Sequence, residues 1–402
     1  MNRLDFESLA RWPRGGAAQG GPLAGGVETR VSGLWLAAFM LLGLGVVQVY
    51  TSSYIFAFES RGDGLFYVRR QFLFSVLALS LMIGTALAPW RWIERFGAML
   101  WLLAAGLVAL TYVPGISMRA GGAARWIQLP GNFVFEPSEL VKVALPLLIA
   151  AALARQGRWP LAGASAHWSG QSLAWLGFMA LPLFLVLKQP DFGTFAIAVC
   201  TVGAMLFVFG LRKRWLFLLT SAAVPAFYLL VMRVPYRRDR VLSFLDPWSN
   251  ADDKGFQVIQ SMLSMRTGGL LGTGLGDGQG KLFFLPEAHT DFTLAVLGEE
   301  LGFIGVAALL ALYGFVLMRI FRLAARAQDT FRRALATGLG VVFGLSVFVN
   351  MGVAMGLLPT KGLTLPFLSY GGSSAVMSGL LFGLILNLER QDRTAYRRGE
   401  LI

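Results

Sequence analysis

The chain has 402 residues, 56% of them hydrophobic and only 14% charged, with a mean hydropathy of +0.62 and a formal net charge of +13. Soluble domains carry about 25% charged residues, so this composition excludes one and marks an integral membrane protein. A single cysteine, Cys200, excludes an internal disulfide and any cysteine-based metal cluster.

Residues 1–30 are polar and glycine-rich, and the apolar run that follows is too long for a signal-peptide core, so an uncleaved cytoplasmic tail is expected. Apolar stretches of spanning length then recur: 33–53, 70–88, 96–115, 137–155, 173–188, 191–211, 214–233, 291–318, 334–357 and 367–387. The expectation is an all-α polytopic membrane protein of about ten transmembrane helices in one domain, residues 31–390, closed by a cytoplasmic tail, 391–402. The 48 glycines suit close packing between membrane helices.

Lys and Arg set the orientation. With the N-terminus inside, about 20 of the 35 basic residues fall in cytoplasmic segments, among them Arg212-Lys213-Arg214 and the cluster from Arg319 to Arg333, against about seven in the short outer loops. The excess positive charge is then mainly a topology signal, with attraction to anionic membrane lipids added. No motif supports nucleic-acid binding.

Polar residues inside apolar runs mark pairing or a wet cavity, because each is costly in lipid. FEPSELVKVALP places Glu136, Glu139 and Lys142 at spacing three on one helical stripe, where an ion pair and a cavity-facing role both fit. KQPDFGT turns at the outer surface with Lys188 and Asp191. The outer loop 234–290 is the one large extracytoplasmic segment: it opens with RRDR, ending in Arg240, continues with GFQVIQSMLSMR, which suits a short helix on the interface, and then GGLLGTGLGDGQG, which suits a flexible loop over the membrane surface. In LPEAHTDFTLAVLGEELGFIG, Asp291 stands at the start of a helix, where capping alone would account for it. Glu299 and Glu300 lie about two turns deeper, where capping does not reach; pairing with a cation or with backbone groups of another element is the structural alternative to a cavity role. The last polar group, NMGVAMGLLPTKGLTLPFLSYGGSS, brings Asn350, Lys361, Ser369, Tyr370, Ser373 and Ser374 to the outer ends of the last two helices.

FLPEAHTDF with GEELGFIG, RRDRVLSFLDPW, GFQVIQS, FEPSELVK, KQPDFGT and LPTKGLTLPFLSYGGSS resemble the SEDS (shape, elongation, division and sporulation) family of bacterial cell-wall synthesis, in matching order from about residue 30 to 390. The last string resembles the division members more than the elongation members. The resemblance implies a ten-helix peptidoglycan glycosyltransferase of the cytoplasmic (inner) membrane, with both termini cytoplasmic. It would polymerise lipid II into undecaprenyl-linked glycan at the division septum, beside a class B penicillin-binding protein (an FtsI-like transpeptidase) and other divisome membrane proteins.

Such a polymerisation needs a base at the attacking 4-hydroxyl and positive charge at the departing pyrophosphate. Asp291 matches the family's catalytic aspartate, and Arg240 and Lys361 are the foremost candidates to hold diphosphate. Glu136, Glu139, Lys142, Lys188, Asp191, His289, Ser369, Tyr370 and Ser373 complete the expected substrate-binding set, with Glu299, Glu300 and Asn350 as structural or cavity residues. A divalent cation, magnesium or manganese, could share the diphosphate. His289 is expected to orient its loop rather than transfer protons, and His167, the other histidine, lies in an expected inner loop. A lipid II flippase, an elongation-type polymerase and a scaffold that only recruits the transpeptidase stay open as alternatives.

Overall fold

A computed structural model describes residues 32–120, 123–131, 133–156, 170–210, 217–218, 221–222, 225–251, 255–280 and 285–397. The tail 1–30, His167 and the run Arg212–Arg214 lie outside the described residues. Among the described residues the principal α-helices follow in order: α1 Gly33–Arg61, α2 Phe66–Leu87, α3 Trp90–Leu110, α4 Pro137–Gln156, α5 Gly170–Lys188, α6 Phe192–Val208, α7 Pro235–Leu245, α8 Phe256–Gly268, α9 Thr293–Arg326, α10 Thr330–Ala354 and α11 Gly372–Arg397.

Six of these, α1, α2, α4, α9, α10 and α11, are long and apolar enough to cross a bilayer. A seventh, α3, qualifies as a pair of segments bent by 49°. Helices α5 and α6 are apolar but shorter in their described parts, and the expected span 214–233 falls on residues that are only partly described. The protein is therefore an all-α polytopic membrane protein. One element was not expected: residues 117–135 form a three-stranded antiparallel sheet of β1 Ser117–Ala120, β2 Ala123–Leu129 and β3 Phe133–Phe135. Its strands are three to seven residues long, too short for alternation to stand out in the sequence.

Helix α4 lies at the centre, buried along nearly its whole length and packed between α3, α6, α10 and α11. Pro137 starts it at a position where a missing N–H costs nothing, and Pro146 sits opposite Gly338 of α10, where a methyl group would strike the proline ring at 2.7 Å.

One end of the bundle gathers both ends of the described chain. Ser32 caps α1 and donates its hydroxyl to the buried Glu389 of α11, which also accepts from Arg319 of α9 at 2.8 Å and from Arg393 at 3.2 Å. Beside them Asn387 donates to the carbonyls of Thr85 and Ala88, and Arg390 to those of Leu87 and Ala88, satisfying the orphan acceptors at the end of α2. Residues 32 and 389–393 thus share one face, and the loops that lead into α9 and α11 lie at the other ends of those helices.

At 34 residues, α9 would be about 51 Å long as a straight helix, well beyond a hydrocarbon core of about 30 Å. It breaks at Gly302, whose φ of +65° is open to glycine. Before the break every residue from 292 to 300 is buried; after it Phe303 and Ile304 are 65% and 57% exposed, the pattern of a lipid-facing helix. The outward-facing apolar pattern begins only after Gly302, and Glu299 and Glu300 sit at the break, buried inside protein.

Candidate functional site

The segment around Asp291 is built by a tight turn. The carbonyl of Glu287 accepts from the N–H groups of Thr290, Asp291 and Phe292 at 3.1–3.3 Å, with Glu287 itself at φ +57°. Helix α9 follows, but its cap is Phe292, with no side-chain hydrogen bond. This corrects the capping account of Asp291. Where this protein does cap with aspartate the bonds are explicit: Asp191 accepts from Thr194 N–H at 3.2 Å and Asp329 from Arg332 N–H at 3.0 Å. The Asp291 carboxylate is committed to no helix end. Its burial, reinforced by nearby Glu287 and opposed by Arg240, pushes it up to about 7.

Asn350 of α10 joins this turn to the loop between α10 and α11. Its Nδ2 donates to the carbonyl of Asp291 at 3.1 Å and to that of Leu363. The same loop is pinned by Tyr313 Oη, which donates to Pro366 O at 2.6 Å, and by Tyr370 N–H, which donates to His289 O at 2.8 Å. Ser369 closes it internally, accepting from Leu365 N–H at 3.0 Å. Its backbone also presses on α1 at Gly45, where a Cβ would lie 2.0 Å from Phe367 O. As a result Gly362 adjoins the carboxylate: a Cβ there would stand 3.5 Å from Asp291 Oδ2.

Cations surround this junction. Arg240 of α7 donates to Thr360 O at 3.1 Å, and Lys361 lies with Nζ 4.4 Å from the centre of the Phe192 ring, which Arg237 also faces at 5.3 Å. Burial, then the neighbouring Arg240 and Arg237, lowers Lys361 to about 8, partly offset by Asp191. Arg125 of β2 braces the α5–α6 turn by donating to Gln189 O at 2.9 Å and Pro190 O at 2.7 Å, which holds Asp191 toward the same cluster. Arg125 was missed in the sequence because the small sheet that presents it was not legible.

The other expected residues divide. Glu139 and Lys142 pair at 2.7 Å and line a narrow cleft between α4, α10 and α11, together with Ser346, Thr364, Ser374 and Ser378. Glu136, just ahead of α4, is raised to about 8 by burial and by Asp191 and Glu139. Its N–H donates to Ser373 Oγ at 2.9 Å, so Ser373 links α11 to this strip. Lys188 is exposed and packs its ammonium over Phe184 of its own helix, 5.0 Å from the ring centre, and is not brought to Lys361. His289 stacks among Phe56, Tyr67 and Tyr370 with ring-centre distances of 4.8–5.7 Å, and burial lowers its pKa. The imidazole is thus packed among three aromatic rings.

Glu299 has a structural partner. It accepts from the N–H of Gln279 at 2.7 Å and from that of Gly280 at 3.0–3.1 Å. The glycine-rich stretch, expected to be a flexible surface loop, is instead stitched into the break of α9: Thr273 and Gly274 donate to Glu299 O and Glu300 O, while Phe303 and Ile304 donate back to Gly269 O and Leu270 O. Two carbonyls and two N–H groups at the break thus find their partners in this loop. Helix α8, expected on the membrane interface, packs Val258, Ile259, Ser261 and Ser264 inward, and Ser261 donates to Ala354 O at 2.6 Å. Among the described residues no three His, Cys, Asp or Glu side chains converge as a metal site. These residues alone therefore do not fit a protein-held cation.

A family model described as "Cell cycle protein", FtsW/RodA/SpoVE, matches residues 32–394. The chain belongs to this family. Curated FtsW/RodA/SpoVE relatives include the probable peptidoglycan glycosyltransferase FtsW of Geobacter sulfurreducens, 41% identical over 360 residues that cover 90% of this chain and 95% of the relative. That of Nitrosomonas europaea is 39% identical, covering 90% and 92%. Among solved structures, one chain of a peptidoglycan synthase complex described as coordinating polymerization and crosslinking aligns with a TM-score of 0.71 and 30% identity, over 90% of this chain and 97% of its own. The rod shape determining protein RodA of Thermus thermophilus aligns at 0.64 and 28%, covering 90% and 96%.

Proposed function

We propose that this protein is a peptidoglycan glycosyltransferase of cell division that polymerises lipid II, with Asp291 as its general base. The observation that supports this reading is a carboxylate that caps no helix, held near Arg240 and against the loop that carries Lys361, at the end of the bundle opposite the chain termini. On this reading Asp291 takes the proton of the acceptor's 4-hydroxyl as the new oxygen–carbon bond forms at the anomeric carbon of the donor. The bond from that carbon to the pyrophosphate oxygen breaks with its electron pair on the oxygen, and Lys361 and Arg240 stabilise the charge that develops there. Burial raises the base toward neutrality, which favours proton transfer at physiological pH. The Glu139–Lys142 pair and Glu136 provide a polar wall behind the site.

The polyprenyl chain of the substrate requires a membrane, and the loops bearing the site are assigned to the outer face, with both ends cytoplasmic. In a background lacking Cys200, a cysteine at exposed Thr267 should label from outside intact cells and one at exposed Thr394 should not. Labelling of Thr394→Cys alone would reverse the assignment. A class B penicillin-binding protein is assigned as partner because the aligned synthase complex couples polymerization to crosslinking.

The deciding experiment supplies lipid II to the purified protein with and without that partner. Glycan polymer is expected with the partner. No polymer under any condition, together with lipid II movement across vesicles carrying this protein, would make it a transporter instead. The limiting rate should rise about tenfold per pH unit up to about 7, because the base works only when deprotonated, and fall above about 8, where Lys361 loses the proton that lets it hold diphosphate. Lys361→Arg should remove the alkaline fall, since a guanidinium stays charged. An alkaline limb unchanged in that variant would take Lys361 out of the diphosphate site.

A further inference from the structure

Asp191 is more than its capping role requires. Its Oδ1 accepts from the Thr194 N–H at 3.2 Å and caps α6, but its Oδ2 finds no hydrogen-bond donor among the described residues, although the residue is only 5% exposed. An unpaired buried carboxylate oxygen is costly, and asparagine or serine would cap the helix without it.

The loop before α11 runs along the start of α6. Lys361 places Nζ 4.4 Å from the centre of the Phe192 ring, and Leu363 packs on Gly193, where a Cβ would stand 3.2 Å from its side chain. The ammonium is thus seated at the residue next to Asp191. Around it stand Arg237, 5.3 Å from the same ring centre, Arg240, which donates to Thr360 O, and Arg125, whose guanidinium braces the carbonyls of Gln189 and Pro190. Asp191 is the carboxylate that acts on Lys361 against these three arginines. Glu136 faces Asp191 as well, and burial, with Asp191 and Glu139 nearby, keeps it mostly protonated at neutral pH.

A lysine in this company faces a difficulty that an arginine does not. Its amine can lose the proton, and burial and three guanidinium groups favour that loss, yet only the ammonium can stabilise the charge that develops on a departing pyrophosphate. Before the donor arrives, no phosphate is there to keep the amine charged. A fixed anion beside it meets that need, and Asp191 has an oxygen that no hydrogen bond occupies.

We propose that Asp191 is a positioning residue for Lys361: its unpaired oxygen holds the ammonium charged beside the Phe192 ring until the diphosphate of the donor takes it over. This rests on the reading above in which Lys361 serves the diphosphate, and adds the residue that keeps it ready between turnovers.

The test is Asp191→Asn in the full-length protein, since asparagine keeps the cap and removes only the charge. Two readouts are taken. The first needs no substrate: brief acetylation with acetic anhydride across a pH series, followed by peptide mass spectrometry, follows the charge of Lys361. Its midpoint should fall by about one pH unit in the variant. The second is polymerisation of lipid II with the crosslinking partner in lipid nanodiscs. There the alkaline limb should move the same way, so the limiting rate at about pH 8, divided by that at about pH 6.5, should drop about fourfold. In a Lys361→Arg background the same substitution should leave that ratio unchanged, because a guanidinium keeps its proton without help. An unmoved acetylation midpoint would overturn the proposal, as would a drop in the ratio that persists beside Lys361→Arg. A lower unfolding temperature with neither readout shifted would reduce Asp191 to a helix cap. Absence of polymer from the unaltered protein, with the midpoint still moved by Asp191→Asn, would condemn the glycosyltransferase reading instead, which separates the two failures.

Discussion

Asp291→Asn is expected to lower glycan polymerisation by about 10² to 10⁴, the usual worth of a general base, while the protein stays folded and bound to its partner. The fold should tolerate the change because the side chain caps nothing: Phe292 holds the cap position, and the bonds that position residue 291 run through its backbone, from Asn350 Nδ2 and to Glu287 O. Asparagine keeps the size and removes only the capacity to accept a proton. Polymer measured by gel and mass spectrometry, beside thermal unfolding and partner co-purification, separates chemistry from stability. Near-normal polymerisation by the variant would end the assignment and direct attention to Glu136 or Glu139. By contrast, Asn350→Leu should leave the carboxylate in place chemically but untether it, and is expected to impair the rate less than the loss of the base itself.

The second large effect is expected at Gly272→Ala. Gly272 has φ +84°, where an L side chain costs about 1–2 kcal/mol, and a Cβ would lie 2.1 Å from Glu300 O, a contact no native side chain makes. With overpacking adding about 1–3 kcal/mol, the loop must pull away from the break in α9. The bonds from Thr273 and Gly274 to Glu299 O and Glu300 O would go with it. Because Asp291 stands eight residues ahead of Glu299 on the segment that leads into the break, activity should fall alongside the unfolding temperature. Proteolysis within 269–280 should become rapid. Glu299→Gln is the milder companion, since an amide keeps one acceptor oxygen but forfeits charge-assisted bonds to Gln279 and Gly280, worth about 1.5–3 kcal/mol. If Gly272→Ala melted and polymerised like the unaltered protein, the loop would not be the clamp described above.

Much of the candidate site was legible because motif and chemistry coincide in short strings. Asp291, Arg240 and Lys361 stand out as charges at the outer ends of apolar runs, and the structure places Arg240 near both the Asp291 carboxylate and Lys361 although they lie far apart in the chain. The Glu139–Lys142 pair was legible too, because spacing three on a helix fixes proximity without knowledge of any neighbour. Lys188 shows the limit. Its place in KQPDFGT puts it near Asp191 in sequence, but a lysine stem has enough reach to choose Phe184 instead.

By itself the sequence determined that this is a polytopic helical membrane protein, roughly where its helices run, and which few charged residues have to be explained, since hydropathy and the cost of charge in lipid act on each segment separately. Tertiary structure alone decided three things. It decided that α9 is broken at Gly302, because a 34-residue apolar run looks continuous until another segment supplies the backbone partners that let it break. It decided that Glu299 is a structural anchor, because those partners are main-chain N–H groups with no side-chain signature. And it decided that the Asp291 side chain caps no helix end, because whether a carboxylate caps depends on an offset of one residue in where the helix begins, which no periodicity resolves.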